Sequence, residues 1–416
     1  MRVNNSVTID KKRLVVSPQA VFAALLFVVW TRYTLCAYVI AVIKRLPLVW
    51  IVGDMAYPTV IIILFVMSIP YIRKRLSFAE IMIYSFVPAS MALSVLFFEN
   101  NLRYLQAEAS MILLEIAPMI FLGACYDHKK QSKVLYWASI FSIVSRTLFQ
   151  FYSSALGNQM EYDSMGTAYR MLPSTMYLVY WAFQNKKLKD WAIAAVAILL
   201  MFIYGTRGPI LCISVYICVG YLYTTIKEKT WKSFFLRLIV ATLTAVWLFS
   251  DAIEETVRAL QELFKQLGMS TRVFDYFLEG TISDVSGRDG LSSIMQEAIR
   301  QSPLLGYGLM GDRAVLNGSY AHNLFLELWC QFGIFLGSFL IIGIVWLPIK
   351  AISKQRKHPD VVLYLLMLVC MVFAKLMVSN SYIRDEYFFF MLGACLVAIR
   401  SVDKTDTSDV KGEQTP

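Results

Sequence analysis

Residues 321–349 read AHNLFLELWCQFGIFLGSFLIIGIVWLPI, and from Leu328 to Ile349 no charged residue interrupts them. An apolar run of ~18 residues or more is what a helix needs to cross the hydrocarbon of a bilayer. Comparable runs recur along the chain, and the composition agrees with them. Of 416 residues, 58% are hydrophobic and 16% are charged, and the mean hydropathy is +0.57. A soluble domain sits well below that apolar fraction. Outer-membrane barrels are excluded, because their strands are ~10-residue alternating segments rather than continuous runs. The pattern predicts an all-α membrane protein.

Working outward from 321–349, the sequence predicts twelve spans: 19–43, 56–72, 78–97, 104–125, 134–155, 168–184, 190–205, 209–225, 233–250, 321–349, 360–379 and 386–400. Charge tests that count, because cytoplasmic loops carry an excess of Lys and Arg. Basic clusters fall at Arg73-Lys74-Arg75, at Lys129, Lys130 and Lys133, and at Lys186, Lys187 and Lys189. They continue at Lys227, Lys229 and Lys232, at Lys350, Lys354, Arg356 and Lys357, and at Arg400 and Lys404. The alternate loops at 99–101, 158–166 and 380–386 are poor in Lys, and only Lys44-Arg45 falls on the wrong side. Both termini are therefore expected in the cytoplasm. The same distribution accounts for the net charge of +10 without nucleic acid as a partner.

The organisation that follows is nine spans over 1–250, a large extracytoplasmic loop over 251–320, three spans over 321–400 and a disordered cytoplasmic tail over 401–416. The apolar run behind the basic Met1–Arg13 head is too long for a cleaved signal and is expected to stay as the first anchor. Within the large loop, Ile253, Val257, Leu260, Phe264 and Leu267 recur at steps of four and three, and so lie on one face of a helix. Leu291, Ile294, Met295, Ala298 and Ile299 suit a second short helix. Such amphipathic segments lie on the membrane surface or roof the bundle. The seven cysteines lie in or beside apolar runs with no C-x-x-C pair, so neither a disulfide nor a metal is expected.

Chemistry is sought on the outer side. Of three histidines, His128 and His358 fall in Lys-rich inner loops, which leaves His322 as the outer imidazole. A histidine titrates near neutrality and suits a general base. Beside it, Asn323 either orients a ligand or caps the helix start, and Tyr320 precedes it. Arg32, Arg146, Arg170, Arg207 and Lys375 lie in or at the edge of predicted spans, the last four in the outer half. A cation in hydrocarbon snorkels to headgroups or faces a cavity or partner. Together with Arg288 in the loop, these cations suit a phosphate or pyrophosphate, which the planar guanidinium fork matches. Glu115 is placed to pair with an intramembrane Arg; Glu327 lies below His322 on the same helix, and Asp289 and Asp312 read as loop acids. The outer side shows no D-x-D pair and no metal-ligand cluster, so a metal-independent reaction without cofactor is expected.

Three stretches carry a resemblance: Gly205-Thr206-Arg207-Gly208-Pro209; Ser286-Gly287-Arg288 running on to Pro303-Leu304-Leu305-Gly306-Tyr307-Gly308; and Tyr320-Ala321-His322-Asn323 followed by Gly333-Ile334-Phe335-Leu336-Gly337. In order, spacing and outer placement the chain resembles the superfamily of bacterial O-antigen polymerases and O-antigen ligases. Thr206 stands where that family often has Ser, and no Trp follows Arg288 in the next turn. The resemblance implies a membrane-embedded glycosyltransferase of the bacterial inner membrane acting on an undecaprenyl-pyrophosphate-linked oligosaccharide. It implies pyrophosphate held by Arg207 and Arg288 and His322 as base; Arg146, Arg170, Lys375, Asn323 and Tyr320 are expected as further substrate contacts from their outer-side placement alone. Membrane lipids, a chain-length regulator and a flippase of the same pathway are the expected partners. The set serves polymerase and ligase alike, with the Thr-Arg-Gly-Pro turn and the Ser-Gly-Arg loop closer to polymerases. A transporter or flippase of an anionic lipid-linked glycan is the alternative of another class, although such proteins place polar groups near the midplane and show repeats.

Overall fold

The computed structural model describes residues 17–32, 50–155, 164–203, 207–231, 251–266, 274–275, 278 and 288–412. Among them all regular structure is helical. The helices, in chain order, are α1 (Pro18–Trp30), α2 (Trp50–Arg73), α3 (Phe78–Phe97), α4 (Leu102–Met111), α5 (Met119–Cys125), α6 (His128–Ala155), α7 (Ser164–Asn185) and α8 (Leu188–Ile203). They continue with α9 (Arg207–Glu228), α10 (Asp251–Gln266), α11 (Arg288–Gln301), α12 (Gly311–Val315), α13 (Leu324–Lys354), α14 (Pro359–Val378) and α15 (Glu386–Gly412).

Among the described residues, five stretches are long and apolar enough to cross a membrane: Phe78–Phe97, Glu99–Cys125, Gly208–Glu228, Leu324–Lys354 and Pro359–Val378. That is the property a helical membrane protein requires. Pro18–Trp30 and Thr59–Arg73 are shorter apolar helices. The predicted span 233–250 lies outside the described residues, as does the second half of 19–43. Along α13, Phe335, Phe339, Ile342, Trp346 and Ile349 are exposed at steps of four and three, an apolar stripe that suits lipid and not water.

The local chemistry explains the boundaries. Ser17 caps α1 by accepting from the Ala20 N–H, with Pro18 in the first turn where its missing donor does no harm. Ser77 and Glu80 form a capping box at the start of α3. At the centre of the bundle α5 lies against α15 with glycine on each. A Cβ on Gly123 would fall 2.0 Å from the Phe390 carbonyl oxygen, and one on Gly393 would fall 2.0 Å from that of Ile120. Small residues that let backbones touch are the usual means of tight helix pairing in membranes.

Three expectations need amending. The run 321–349 is not one straight helix, because Gly333 (φ 72, ψ 173) breaks α13. The turn 303–308 fills the break: Tyr307 N–H donates to Cys330 O at 2.8 Å, Gly308 N–H to Gln331 O at 2.9 Å, and Ile334 N–H to Pro303 O at 2.7 Å. Backbone groups released inside an apolar layer need partners, and here a loop supplies them. The span 104–125 likewise divides, with a π-helical turn at Ile112–Ile116 between α4 and α5. Finally, α15 continues to Gly412 where a disordered tail is expected from Ser401. Residues 401–411 hold neither Gly nor Pro, so a helix already nucleated extends at one hydrogen bond per residue. The two short helices expected within 251–320 are α10 and α11.

Candidate functional site

The segment that leaves the Pro303–Gly308 turn passes under the roof of the bundle as α12 and returns to α13 at Asn323. It carries Arg313, 1% exposed, into the interior. A buried guanidinium is tolerable only when it is paired, and here carboxylates surround it. Nη1 lies 3.1 Å from Asp312 Oδ1 and 3.9 Å from Glu327 Oε1, and Nε lies 3.8 Å from Glu108 Oε1. Nη2 donates to Ser381 Oγ at 3.0 Å. Glu108 also receives Arg384 Nε at 3.3 Å.

Glu327, fully buried on α13, accepts from Ser381 Oγ in a short hydrogen bond and from the Tyr382 N–H at 3.3 Å. Gln331, one turn along, donates to Asp312 Oδ1 at 2.7 Å and accepts from Tyr382 Oη at 2.7 Å. Burial pushes the Asp312 carboxyl up, with Arg313 opposing. Burial alone would lower Arg313, but Asp312, Glu327 and Glu108 more than offset it and hold the guanidinium charged.

Of the predicted site residues, Tyr320, His322 and Asn323 lie on the segment that joins this network to α13. His322 sits at φ 52, in the left-handed region, and its ring packs on Tyr320 with centroids 4.2 Å apart. Tyr320 Oη donates to Ser379 O at 3.1 Å. Tyr320 thus rests on the same α14–α15 turn that supplies Ser381 to Arg313. Asn323 caps α13, its Oδ1 accepting from Phe325 N–H at 3.0 Å and Leu326 N–H at 3.2 Å. Of the two roles open to Asn323, the structure accounts for the cap.

Lys375 pairs with Asp385 at 3.0 Å and lies 5.7 Å from the centroid of the Tyr169 ring. Tyr169 in turn presses on the start of α9, where a Cβ on Gly208 would fall 1.8 Å from its hydroxyl. Arg146 donates to Thr167 Oγ1 at 2.8 Å, and Arg170 is exposed. Arg207 opens α9 and Arg288 opens α11; their side chains lie outside the described residues. Glu115 pairs with Arg32, which also holds Glu386 at 3.2 Å.

The sequence does not single out Arg313, Glu108, Ser381 or Arg384, and it reads Asp312 as a loop acid. One signal was available: a carboxylate inside an apolar helix, Glu327, demands a cation. Which cation reaches it depends on how residues 303–323 fold back.

Two cavities adjoin the network. An apolar groove of about 410 Å³ between α3 and α13 is lined by Phe86, Leu309, Leu328, Phe339, Trp346 and Tyr382. Tyr382 belongs to the groove and to the hydrogen-bonded network at once. A second, polar cavity of about 560 Å³ is lined by Glu99, Asn100, Arg103, Gln106 and, next to Arg313, Ala314. Among the described residues no three His, Cys, Asp or Glu side chains gather as metal ligands. No protein-family model matches the chain, and no curated protein matches it.

Proposed function

We propose that the chain is a polysaccharide repeat-unit polymerase of the bacterial cytoplasmic membrane, joining undecaprenyl-pyrophosphate-linked oligosaccharides at the outer face. One observation carries this reading: a charged, hydrogen-bonded network shares Tyr382 with an apolar groove and, through Ala314 beside Arg313, adjoins a polar cavity. That arrangement suits an amphiphile with a hydrocarbon tail, an anionic link and a sugar head. In this proposal the twelve predicted spans hold, and residues 251–320 face outward.

In the reaction, an acceptor sugar hydroxyl attacks the anomeric carbon of the donor. The new C–O bond forms as the bond from that carbon to the pyrophosphate oxygen breaks, and undecaprenyl pyrophosphate leaves. His322 takes the hydroxyl proton. Negative charge grows on the departing pyrophosphate, so fixed cations lower the barrier most, with Arg207 and Arg288 in that role and Lys375 nearby. Tyr320 holds the His322 ring by a tilted ring contact. The Arg313 network acts one layer further in, fixing the turns that carry Tyr320 and the start of α13. The activation energy resides in the pyrophosphate ester.

Purified protein given a lipid-pyrophosphate oligosaccharide is expected to lengthen it, and His322→Ala to slow that lengthening by ~10²–10⁴-fold. In cells, the same variant should leave single repeat units on the surface and no long polymer. Glycan stranded on its lipid carrier, with none attached to lipid A-core, would point to the ligase instead. Movement of the lipid-linked glycan across the bilayer without lengthening would point to a transporter. Unchanged polymer length in His322→Ala would remove the histidine from the chemistry.

A further inference from the structure

The far end of the bundle holds another cavity, of about 340 Å³. The 20 residues of α14 separate it from the Ser379–Ser381 turn, about 30 Å at 1.5 Å per residue, or one hydrocarbon thickness. Its wall brings together Arg75, Asp127, His128, Lys129, His358 and Tyr364. Arg75 comes from the α2–α3 turn, Asp127 to Lys129 from the start of α6, and His358 from the α13–α14 turn. Three loops distant in sequence thus contribute basic or imidazole groups to one hollow.

The polar groups of this wall are only partly used. Arg75 donates to Cys125 O at 3.4 Å and to Asp127 Oδ2 at 3.2 Å, which engages two atoms of a five-donor fork. Asp127, already paired with Arg75, is the one acid lining the cavity against Arg75 and Lys129. Asp360 stands behind the wall, 3.6 Å from His128 Nε2. That nitrogen also lies 2.8 Å from Tyr180 Oη, and Tyr180 gives its proton to Gln184 Oε1 at 2.9 Å. With the tyrosine proton spent on Gln184, the imidazole hydrogen sits on Nε2, and His128 Nδ1 is left as an acceptor. Among the described residues, His128 Nδ1 and the hydroxyl of Tyr364 are buried with no hydrogen-bond partner. Tyr364 is 3% exposed. A buried polar atom without a partner bears its full desolvation penalty, and a ligand that supplies the partner removes it.

We propose that this cavity binds a phosphate monoester. Its oxygens meet Arg75 and Lys129, the Tyr364 hydroxyl donates to it, and the O–H of its singly protonated form donates to His128 Nδ1. The net positive wall selects an anion, and the arginine fork favours phosphoryl oxygens. The volume leaves room for a small alcohol portion beyond the phosphate. A lipid headgroup in the leaflet at this end and a soluble phosphate ester share this chemistry. The site is independent of the polymerase reading.

The experiment uses the full chain in detergent and follows thermal unfolding and isothermal titration with inorganic phosphate, against sodium chloride at equal ionic strength. A second arm reconstitutes the chain in phosphatidylcholine nanodiscs with and without phosphatidic acid. Phosphate is expected to raise the unfolding temperature, and Lys129→Ala and Tyr364→Phe each to weaken binding about tenfold. Lys129 is exposed, and Phe keeps the Tyr364 ring, so both variants fold. Stabilisation by phosphatidic acid alone assigns the lipid headgroup; stabilisation by inorganic phosphate assigns a soluble ester. No stabilisation beyond chloride in either arm overturns the proposal, as does stabilisation of equal size in both variants.

Discussion

At one end of the bundle Arg313, Asp312, Glu327, Gln331, Ser381 and Tyr382 are tied to one another through ion pairs and hydrogen bonds, with Glu108 at the edge of the set facing Arg313 and Arg384. At the other end, half-buried His128 and buried Tyr364 each keep a buried polar atom without a hydrogen-bond partner beside an open cavity. The first arrangement fixes geometry, since each group holds its neighbours in place and any deletion strands a charge. The second leaves binding capacity unspent. A membrane bundle can thus use buried polarity as scaffold at one surface and as receptor at the other.

The largest test of that contrast is Arg313→Ala. It strands the buried carboxylates of Asp312 and Glu327 and is expected to destabilise the fold by about 3–5 kcal/mol. Arg384→Ala, whose side chain is 42% exposed, should change stability by less than ~1 kcal/mol. Thermal unfolding in detergent compares the two, and equal effects would dissolve the distinction between scaffold and rim. Next comes Gly333→Ala, at φ 72 with its new Cβ 2.2 Å from the Leu304 carbonyl oxygen. Strain and displacement of the Pro303–Gly308 turn should destabilise by about 1–3 kcal/mol. Faster hydrogen exchange at Tyr307 and Gly308 would trace the loss to that turn.

At the opposite end the sign reverses. Without phosphate, Tyr364→Phe removes a hydroxyl that has no partner, so stability should be unchanged or rise by up to ~1 kcal/mol; a clear loss would mean the hydroxyl is in use. The smallest effect is on pH. Burial lowers His128 below its ordinary value, with Asp360 opposing. Its neutral form is therefore favoured by folding. The associated stability is complete above about pH 6.5 and falls as the pH drops through the lower folded value. His128→Gln should flatten the decline in unfolding temperature on acidification, and an unaltered decline would place the titration elsewhere.

Much of the architecture is legible in the one-dimensional pattern. Apolar length marks α3, α9, α13 and α14, and apolar spacing marks α10 and α11 within the 251–320 loop. The break in α13 was not legible in the same way. Gly333 lies in a run rich in Leu, Ile and Phe, and glycine inside a membrane helix is common. Only the arrival of Pro303–Gly308 beside it shows that the backbone opens there. The site divides similarly. His322, as a scarce imidazole, and Lys375, as a cation within an apolar span, could be picked out near one face, whereas Arg313 looked like any loop arginine. Its burial depends on three carboxylates from α4, α12 and α13 meeting at one point.

From sequence alone come the helical class, the affinity for a membrane and the roster of unusual cations, because hydropathy and charge are properties of residues in order. Which cation is buried, which carboxylate answers it, and which hollow keeps unpaired polar atoms are settled by the packing of α3, α4, α6, α12, α13, α14 and α15. Pairing and desolvation act over a few ångströms in space, and distance along the chain does not encode them.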